Sequence, residues 1–279
     1  MTQPVSQPDI PAGTTSVLQT ILAHKRLEVA DRKNRQSLAQ LRKQLAAHPA
    51  GLSFPFEAAL QGATATRPKA ILEIKPASPS AGELTSALDL PGILAAYNQF
   101  GSALSVLTDT AYFKGSLDLL RAVRAQSSLP ILCKDFILDP YQLVEARLAG
   151  ADAALLIVKG LNDDTLASLH REALALGLTP VVEIQDEDEL NRAVNSAGIQ
   201  PRVLLINNRN LDTLAMDMTT TARLAPLCPA SVLTVAASGY NTREELDAVA
   251  PVCPRFLIGS ALMQTPVAEL PERLGGLLR

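Results

Sequence analysis

After residue 69, short apolar runs alternate with helix-length segments: AILEIK, ALSVLT, PILCKDF, AALLIV, TPVVEI, RVLLIN, SVLTVAA and RFLIGS. This alternation constrains the fold more than any other feature of the chain. Strands joined by helix-length connections form right-handed βαβ units and a parallel sheet. Eight such units in about 200 residues fit an α/β chain closed into a (β/α)8 TIM barrel. An open doubly wound sheet is the alternative. Against it, no G-x-G-x-x-G follows the first run and no Walker loop occurs, whereas polar residues recur at the C-terminal end of nearly every run.

Helical patterning precedes the barrel. From Ser16, the apolar residues Val17, Leu18, Ile21, Leu22, Leu27 and Val29 recur at three- and four-residue steps, with Lys25, Arg26 and Glu28 filling the gaps. A second helix is expected around Leu38 to Leu45, and the Pro-, Gln- and Thr-rich residues 1–14 are expected to fray. The expected organisation is one domain, with residues 1–69 as a tail and helical extension packed on the barrel and residues 70–279 as the catalytic barrel.

Composition narrows the function classes. The 279 residues are 47% hydrophobic, enough for one large core or two small ones. A net charge of −3 supplies no basic field, and Lys25, Arg26, Arg32, Lys33 and Arg35 are interleaved with acidic and apolar residues, so nucleic-acid binding is not expected. Cys133, Cys228 and Cys253 are odd in number and far apart, which suggests neither a disulfide framework nor a zinc site and fits a reducing compartment. His24, His48 and His170 all fall in predicted helices without ligand spacing, so no metal is expected. No apolar run reaches the ~18 residues of a membrane span, and MTQPVSQPDI lacks a signal-peptide core. A soluble, cytoplasmic protein that does not engage a membrane is the expectation.

The polar residues at the strand ends carry the chemistry. In ILEIKPASPS, Ile71, Glu73 and Lys75 share one face of a strand otherwise patterned for burial. Two charges there are either a solvated face, a structural ion pair, or an active site at a strand end. In PILCKDF, Lys134 and Phe136 share one face and Cys133 and Asp135 the other. PVVEI ends on Glu183, and VLLINNRN carries Asn207 and Arg209 on the face of Leu205. One barrel mouth would thus gather two lysines, two glutamates, an asparagine and an arginine. A lysine near carboxylates stays protonated and serves as a general acid, whereas one crowded by cations or desolvated could form a Schiff base. A nearby glutamate can take or return a proton. Ser238-Gly239 and Gly259-Ser260 follow the last two strands, where glycine lets backbone amides approach a phosphate; the competing reading is tight turns.

These segments resemble the indole-3-glycerol phosphate synthase family of tryptophan biosynthesis. The resemblance lies in EIKPASPS (73–80), SVLTDTAYFKGS (105–116), LCKDFILDPYQL (132–143), ADAALLIVK (151–159), VVEI (181–184), INNRNL (206–211) and FLIGSALM (256–263). VLQTILAHKRLEVADRK is similar to the family's helical extension ahead of the barrel. The resemblance implies a carboxy-lyase that closes the ring of 1-(2-carboxyphenylamino)-1-deoxyribulose 5-phosphate, releasing carbon dioxide and water without a cofactor. It implies Lys134 as general acid, Glu183 as acid-base group of the dehydration, Lys75 on the substrate carboxylate, Glu73 orienting the lysines, and Asn207 on the hydroxyls. Pro79, Phe113, Phe136 and Leu155, with Arg209 nearby, would wall the aromatic ring, and Ser78, Ser238, Gly239, Gly259 and Ser260 would surround the phosphate. The implied partner is a small phosphorylated substrate, with room for association with other tryptophan-pathway enzymes. Three positions depart from the family's usual pattern: Ala237 stands for glutamate, Leu205 for glycine and Pro76 for a basic residue. A diverged copy that binds a phosphorylated aromatic metabolite or a partner enzyme with little turnover is the alternative, and a related phosphosugar isomerase barrel a third reading.

Overall fold

Eight parallel strands close on themselves in sequence order: β1 Lys69–Ile74, β2 Ala103–Leu107, β3 Ile131–Lys134, β4 Ala153–Ile157, β5 Thr179–Ile184, β6 Val203–Asn207, β7 Leu233–Ala237 and β8 Arg255–Ile258. Closure is made by β1 and β8, paired in the register Lys69 with Arg255 through Leu72 with Ile258. The computed structural model describes residues 16–47, 52–79, 82–83, 88–195 and 199–279. The expected fraying of residues 1–14 and the placement of His48 lie outside the described residues.

Alternation of side chains sorts each strand into two faces. Outward residues such as Leu72, Ile74, Leu104, Val106, Leu156, Val182, Leu204 and Ile206 are fully buried beneath the surrounding helices. Inward residues Ile71, Leu132, Leu155, Val181, Val203, Leu205, Val235 and Leu257 form a second cluster that fills the barrel. That interior leaves no through-channel, so chemistry is confined to an end.

The segment ahead of β1 covers both ends. Helix α3, Pro55–Leu60, begins on Pro55 and contributes Phe56 and Leu60 to the interior cluster, while the Leu60 carbonyl accepts from Arg255 Nε at 2.8 Å. Arg255 opens β8, so α3 closes the N-terminal end of the barrel. Helix α1, Val17–Arg35, is capped by the Ser16 side chain and lies over the opposite end. Its Leu18, Ile21 and Leu22 join the same interior cluster as Tyr112, Phe136, Leu155 and Ile157. The Val17 amide donates to the Asp212 carbonyl in the loop after β6 at 3.1 Å. Helix α2, Leu38–Ala46, starts with a reciprocal Ser37/Gln40 capping box and lies against the helix Pro140–Leu148.

Helix α1 differs from the expected stripe at two positions. Lys25, expected among the polar residues, is completely buried, and Leu27, counted with the apolar ones, is 72% exposed. The buried stripe runs Leu18, Ile21, Leu22, Lys25, Val29. Its three- and four-residue steps pass through Lys25 and miss Leu27. The periodicity was present, with a charge occupying an apolar station.

Of the histidines, His24 stands edge-on to Tyr112, and His170 is buried on the helix Asp163–Ala175. Burial, aided by Arg202 and Arg171, pushes His170 down to about 4. Among the described residues no cluster of His, Cys, Asp or Glu could hold a metal, and no helix is long and apolar enough to cross a membrane.

Candidate active site

Glu73 is the last inward-facing residue of β1 and is 1% exposed. Its carboxylate is held between two ammoniums: Lys75 Nζ lies 3.0 Å from Oε1 and Lys134 Nζ 3.0 Å from Oε2. Ser105, paired with Glu73 in the β1–β2 register, donates to Oε2 at 3.3 Å. Behind the strand, the Tyr97 hydroxyl donates to the Glu73 carbonyl at 3.3 Å. Burial by itself would push the Glu73 carboxyl up, but Lys134 and Lys75 together hold it down at about 2. The two charges in the opening strand motif are therefore members of a three-residue cation–anion–cation cluster, Glu73 buried and Lys75 half-buried at the cavity.

Lys134 ends β3 and reaches toward a second carboxylate. Burial would lower its pKa, but Glu73 and then Glu183 outweigh this and raise it, so the ammonium persists through neutral pH. Glu183, on β5, is 2% exposed and accepts a 2.9 Å hydrogen bond from Asn207 Nδ2. Burial raises the Glu183 pKa, against the pull of Lys134 and Asn207. The Asn207 Oδ1 accepts from the Arg209 amide at 3.0 Å, while the Arg209 guanidinium donates to the Leu214 carbonyl at 3.0 Å. Two glutamates in one mouth are thus driven in opposite directions, which separates a permanent anion from a group able to exchange a proton.

The walls differ in character. Phe113 and Phe136 face one another with ring centroids 6.0 Å apart, and with Leu155 they line a small apolar recess of about 50 Å³ that also touches Lys134, Glu183 and Asn207. A wider cavity of about 430 Å³ opens beside it, lined by Glu73, Lys75, Ser78, Pro79 and Arg209 together with Ser238, Gly239, Gly259 and Ser260. Ser238 and Gly239 both have left-handed backbone, φ 68° and 90°. Gly259 has a further reason to be glycine. A Cβ there would stand 2.4 Å from Glu73 Oε1, so the backbone just past β8 packs directly on the central carboxylate.

Every residue expected at the site lines one of these two adjoining spaces. Sequence reading did not single out Ser105, Tyr97, Leu211 or Met216, nor the group behind Lys134 made by Lys25, Asp109 and Asp135. Asp135 follows β3 directly and Asp109 lies two residues past β2, positions that mark them as strand-end groups, but their shared partner comes from α1. Of the departures from family pattern, Ala237 is buried and pairs in register with Asn207, and Leu205 is buried beside Glu183 in the β5–β6 register.

Comparison with known proteins gives the same direction. A sequence model of the family described as Indole-3-glycerol phosphate synthase matches residues 18–271. An indole-3-glycerol phosphate synthase of Polaromonas naphthalenivorans (strain CJ2) is 40% identical over 266 residues, covering 94% of this chain and 99% of that protein. The tryptophan biosynthesis protein TrpCF of Vibrio cholerae is 40% identical over 262 residues, covering 94% of this chain and 54% of that protein. The chain therefore spans about half the length of the latter. Among solved structures, a mutant tryptophan synthase alpha-subunit from Pyrococcus furiosus superposes with a TM-score of 0.58 at 14% identity, over 77% of this chain and 99% of that one, a likeness of fold.

Proposed function

The chain belongs to the indole-3-glycerol phosphate synthase family, and from that premise we propose how its own residues close the indole ring of 1-(2-carboxyphenylamino)-1-deoxyribulose 5-phosphate. The observation that carries the reading is the placement of Lys134 between an anion held ionised, Glu73, and a carboxyl pushed toward neutrality, Glu183.

The reaction joins an aromatic carbon to the substrate's keto carbon, then loses carbon dioxide and water. Attack on the carbonyl develops negative charge on its oxygen, which needs a proton donor that is charged at neutral pH. Lys134 is that donor, because its two carboxylate neighbours favour the ammonium over the free amine a Schiff base requires. Lys75, on the other arm of Glu73, holds the substrate carboxylate until decarboxylation. Glu183, oriented by Asn207, exchanges the proton of the dehydration, and Asn207 binds the substrate hydroxyls. The aromatic ring lies in the recess of Phe113, Phe136 and Leu155, with Pro79 and Arg209 at its edge. The phosphate lies in the wider cavity among Ser78, Ser238, Gly239, Gly259 and Ser260.

No cofactor enters this scheme. The Vibrio relative, named TrpCF and nearly twice as long, supports association of this chain with a second enzyme of tryptophan biosynthesis, and a cytoplasmic setting accords with both. The helices ahead of β1, within the expected extension of residues 1–69, are read as serving a single catalytic barrel, which begins at Lys69.

The test is fluorescence-monitored formation of indole-3-glycerol phosphate from synthetic substrate. Wild type is expected to turn over and Lys134→Met, which preserves much of the side-chain volume, to keep its fold and lose ring closure. Turnover at the wild-type rate by Lys134→Met would remove Lys134 from the role.

A further inference from the structure

Lys25 has no part in the scheme above, yet it is completely buried and contacts three carboxylates. Its Nζ lies 2.8 Å from Asp109 Oδ2, 2.9 Å from Asp135 Oδ1 and 2.9 Å from Glu28 Oε2. Burial opposes the charge, but Asp135, Asp109 and Glu28 outweigh it and raise the Lys25 pKa. A desolvated cation with this many anions is a poor stability device, since an apolar replacement of the whole group is often as stable. Its cost calls for another return.

The two aspartates show what Lys25 holds. Asp135 is the residue after Lys134; its Oδ2 accepts from Thr108 at 2.9 Å and its Oδ1 from the Phe136 amide at 2.7 Å. Asp109 Oδ1 accepts from the Tyr112 and Phe113 amides at 2.7 and 3.3 Å. The Thr108 amide in turn donates to the Lys134 carbonyl at 3.1 Å. Lys25 therefore ties the turns after β2 and β3 together; those turns carry Phe113 and Phe136, and the second begins at Lys134.

We propose that Lys25 is a positioning residue for the reaction: through Asp109 and Asp135, helix α1 fixes the reach of Lys134 and the separation of the Phe113 and Phe136 walls. The proposal rests on the reading of Lys134 as the acid. Displacing a reacting group by about 1 Å costs on the order of a hundredfold in rate.

Steady-state kinetics on Lys25→Met test it, beside Lys134→Met and Lys33→Met. Lys33 anchors the same helix to Asp139, the cap of the helix Pro140–Leu148 at the far end of the loop after β3, and serves as control for an ion pair outside the clamp. The expected result for Lys25→Met is a kcat lower by about tenfold to a hundredfold with KM little changed. Lys33→Met should behave as wild type.

Activity of Lys25→Met close to wild type overturns the proposal, as does a loss no larger than the fall in folded protein or one confined to KM. If Lys25→Met does not fold, Asp109→Asn decides. It keeps an acceptor for the Tyr112 and Phe113 amides and cuts one arm of the clamp, so a selective fall in kcat is expected and an unaltered kcat overturns the idea. An active Lys134→Met would instead strike the reading of the acid itself, so the two failures are distinct.

Discussion

At the scale of single residues, Glu73 sets the electrostatics of the mouth. Its charge is the first of the two influences that raise Lys134 against burial. Glu73→Gln is therefore expected to lower the Lys134 pKa and shift the alkaline limb of the kcat profile to lower pH, with a reduced maximum. A limb in the wild-type position would show that another group titrates there. Ala237 bears on the neighbouring carboxylate. Paired with Asn207, it lies where Ala237→Glu would add an acceptor beside the Asn207–Glu183 hydrogen bond. One charge-assisted hydrogen bond contributes about 1.5–3 kcal/mol, against a further rise in the Glu183 pKa. Lys134 and Lys75 are on hand to offset the added charge, so higher turnover is the expected outcome. Unchanged or poorer turnover at every pH, in a folded variant, would show a site rebuilt around alanine.

At the scale of elements, β8 and α1 make opposite kinds of wall. Gly259 admits Glu73 by lacking a side chain, so Gly259→Ala should displace the carboxylate and lower kcat while far-UV circular dichroism stays that of wild type. Leu22 of α1 is 1% exposed, and Leu22→Ala should cost about 2–5 kcal/mol in denaturant unfolding. The strands were legible because each is a short apolar run bounded by turn or helix patterning, and the polar groups gathered at the mouth were legible because charge is conspicuous in such runs. Gly259 was legible as an approach point, but its neighbour was not, since β1 and β8 are adjacent only after closure. Lys25 was misplaced for a related reason. Its station in the stripe of Leu18, Ile21, Leu22 and Val29 is apolar by period, and only Asp109 and Asp135, supplied by distant strand ends, make that station habitable for a charge.

At the scale of the whole molecule, the buried titrating groups set how stability depends on pH. Glu73 is depressed from 4.5 to about 2, so its contribution is present above 4.5 and is lost as pH falls toward 2. His170 is depressed from 6.5 to about 4; the unfolded chain takes up its proton first, so its contribution is lost as pH falls from 6.5 to 4. Glu189 works against that loss. Burial, with Asp186 nearby, raises it from 4.5 to about 7, so stability returns as pH falls from 7 to 4.5. Thermal unfolding should accordingly show a Tm nearly level between pH 7 and 4.5, with a steep fall below. His170→Asn should tilt the level stretch, with Tm rising as pH drops toward 4.5.

Closure of β1 against β8 also dictates an order of events while the protein is being made. Glu73, Lys75 and Lys134 leave the ribosome early, and β1, β2 and β3 can pair as soon as they emerge. The flank of Glu73 that Gly259 covers stays wet until β8 arrives, and one edge of β1 remains open for the same interval. A nascent chain thus carries its proposed proton donor long before it carries a dry site. In refolding from denaturant, regained turnover should trail the return of helical signal, and the lag between them times the moment at which the last strand meets the first.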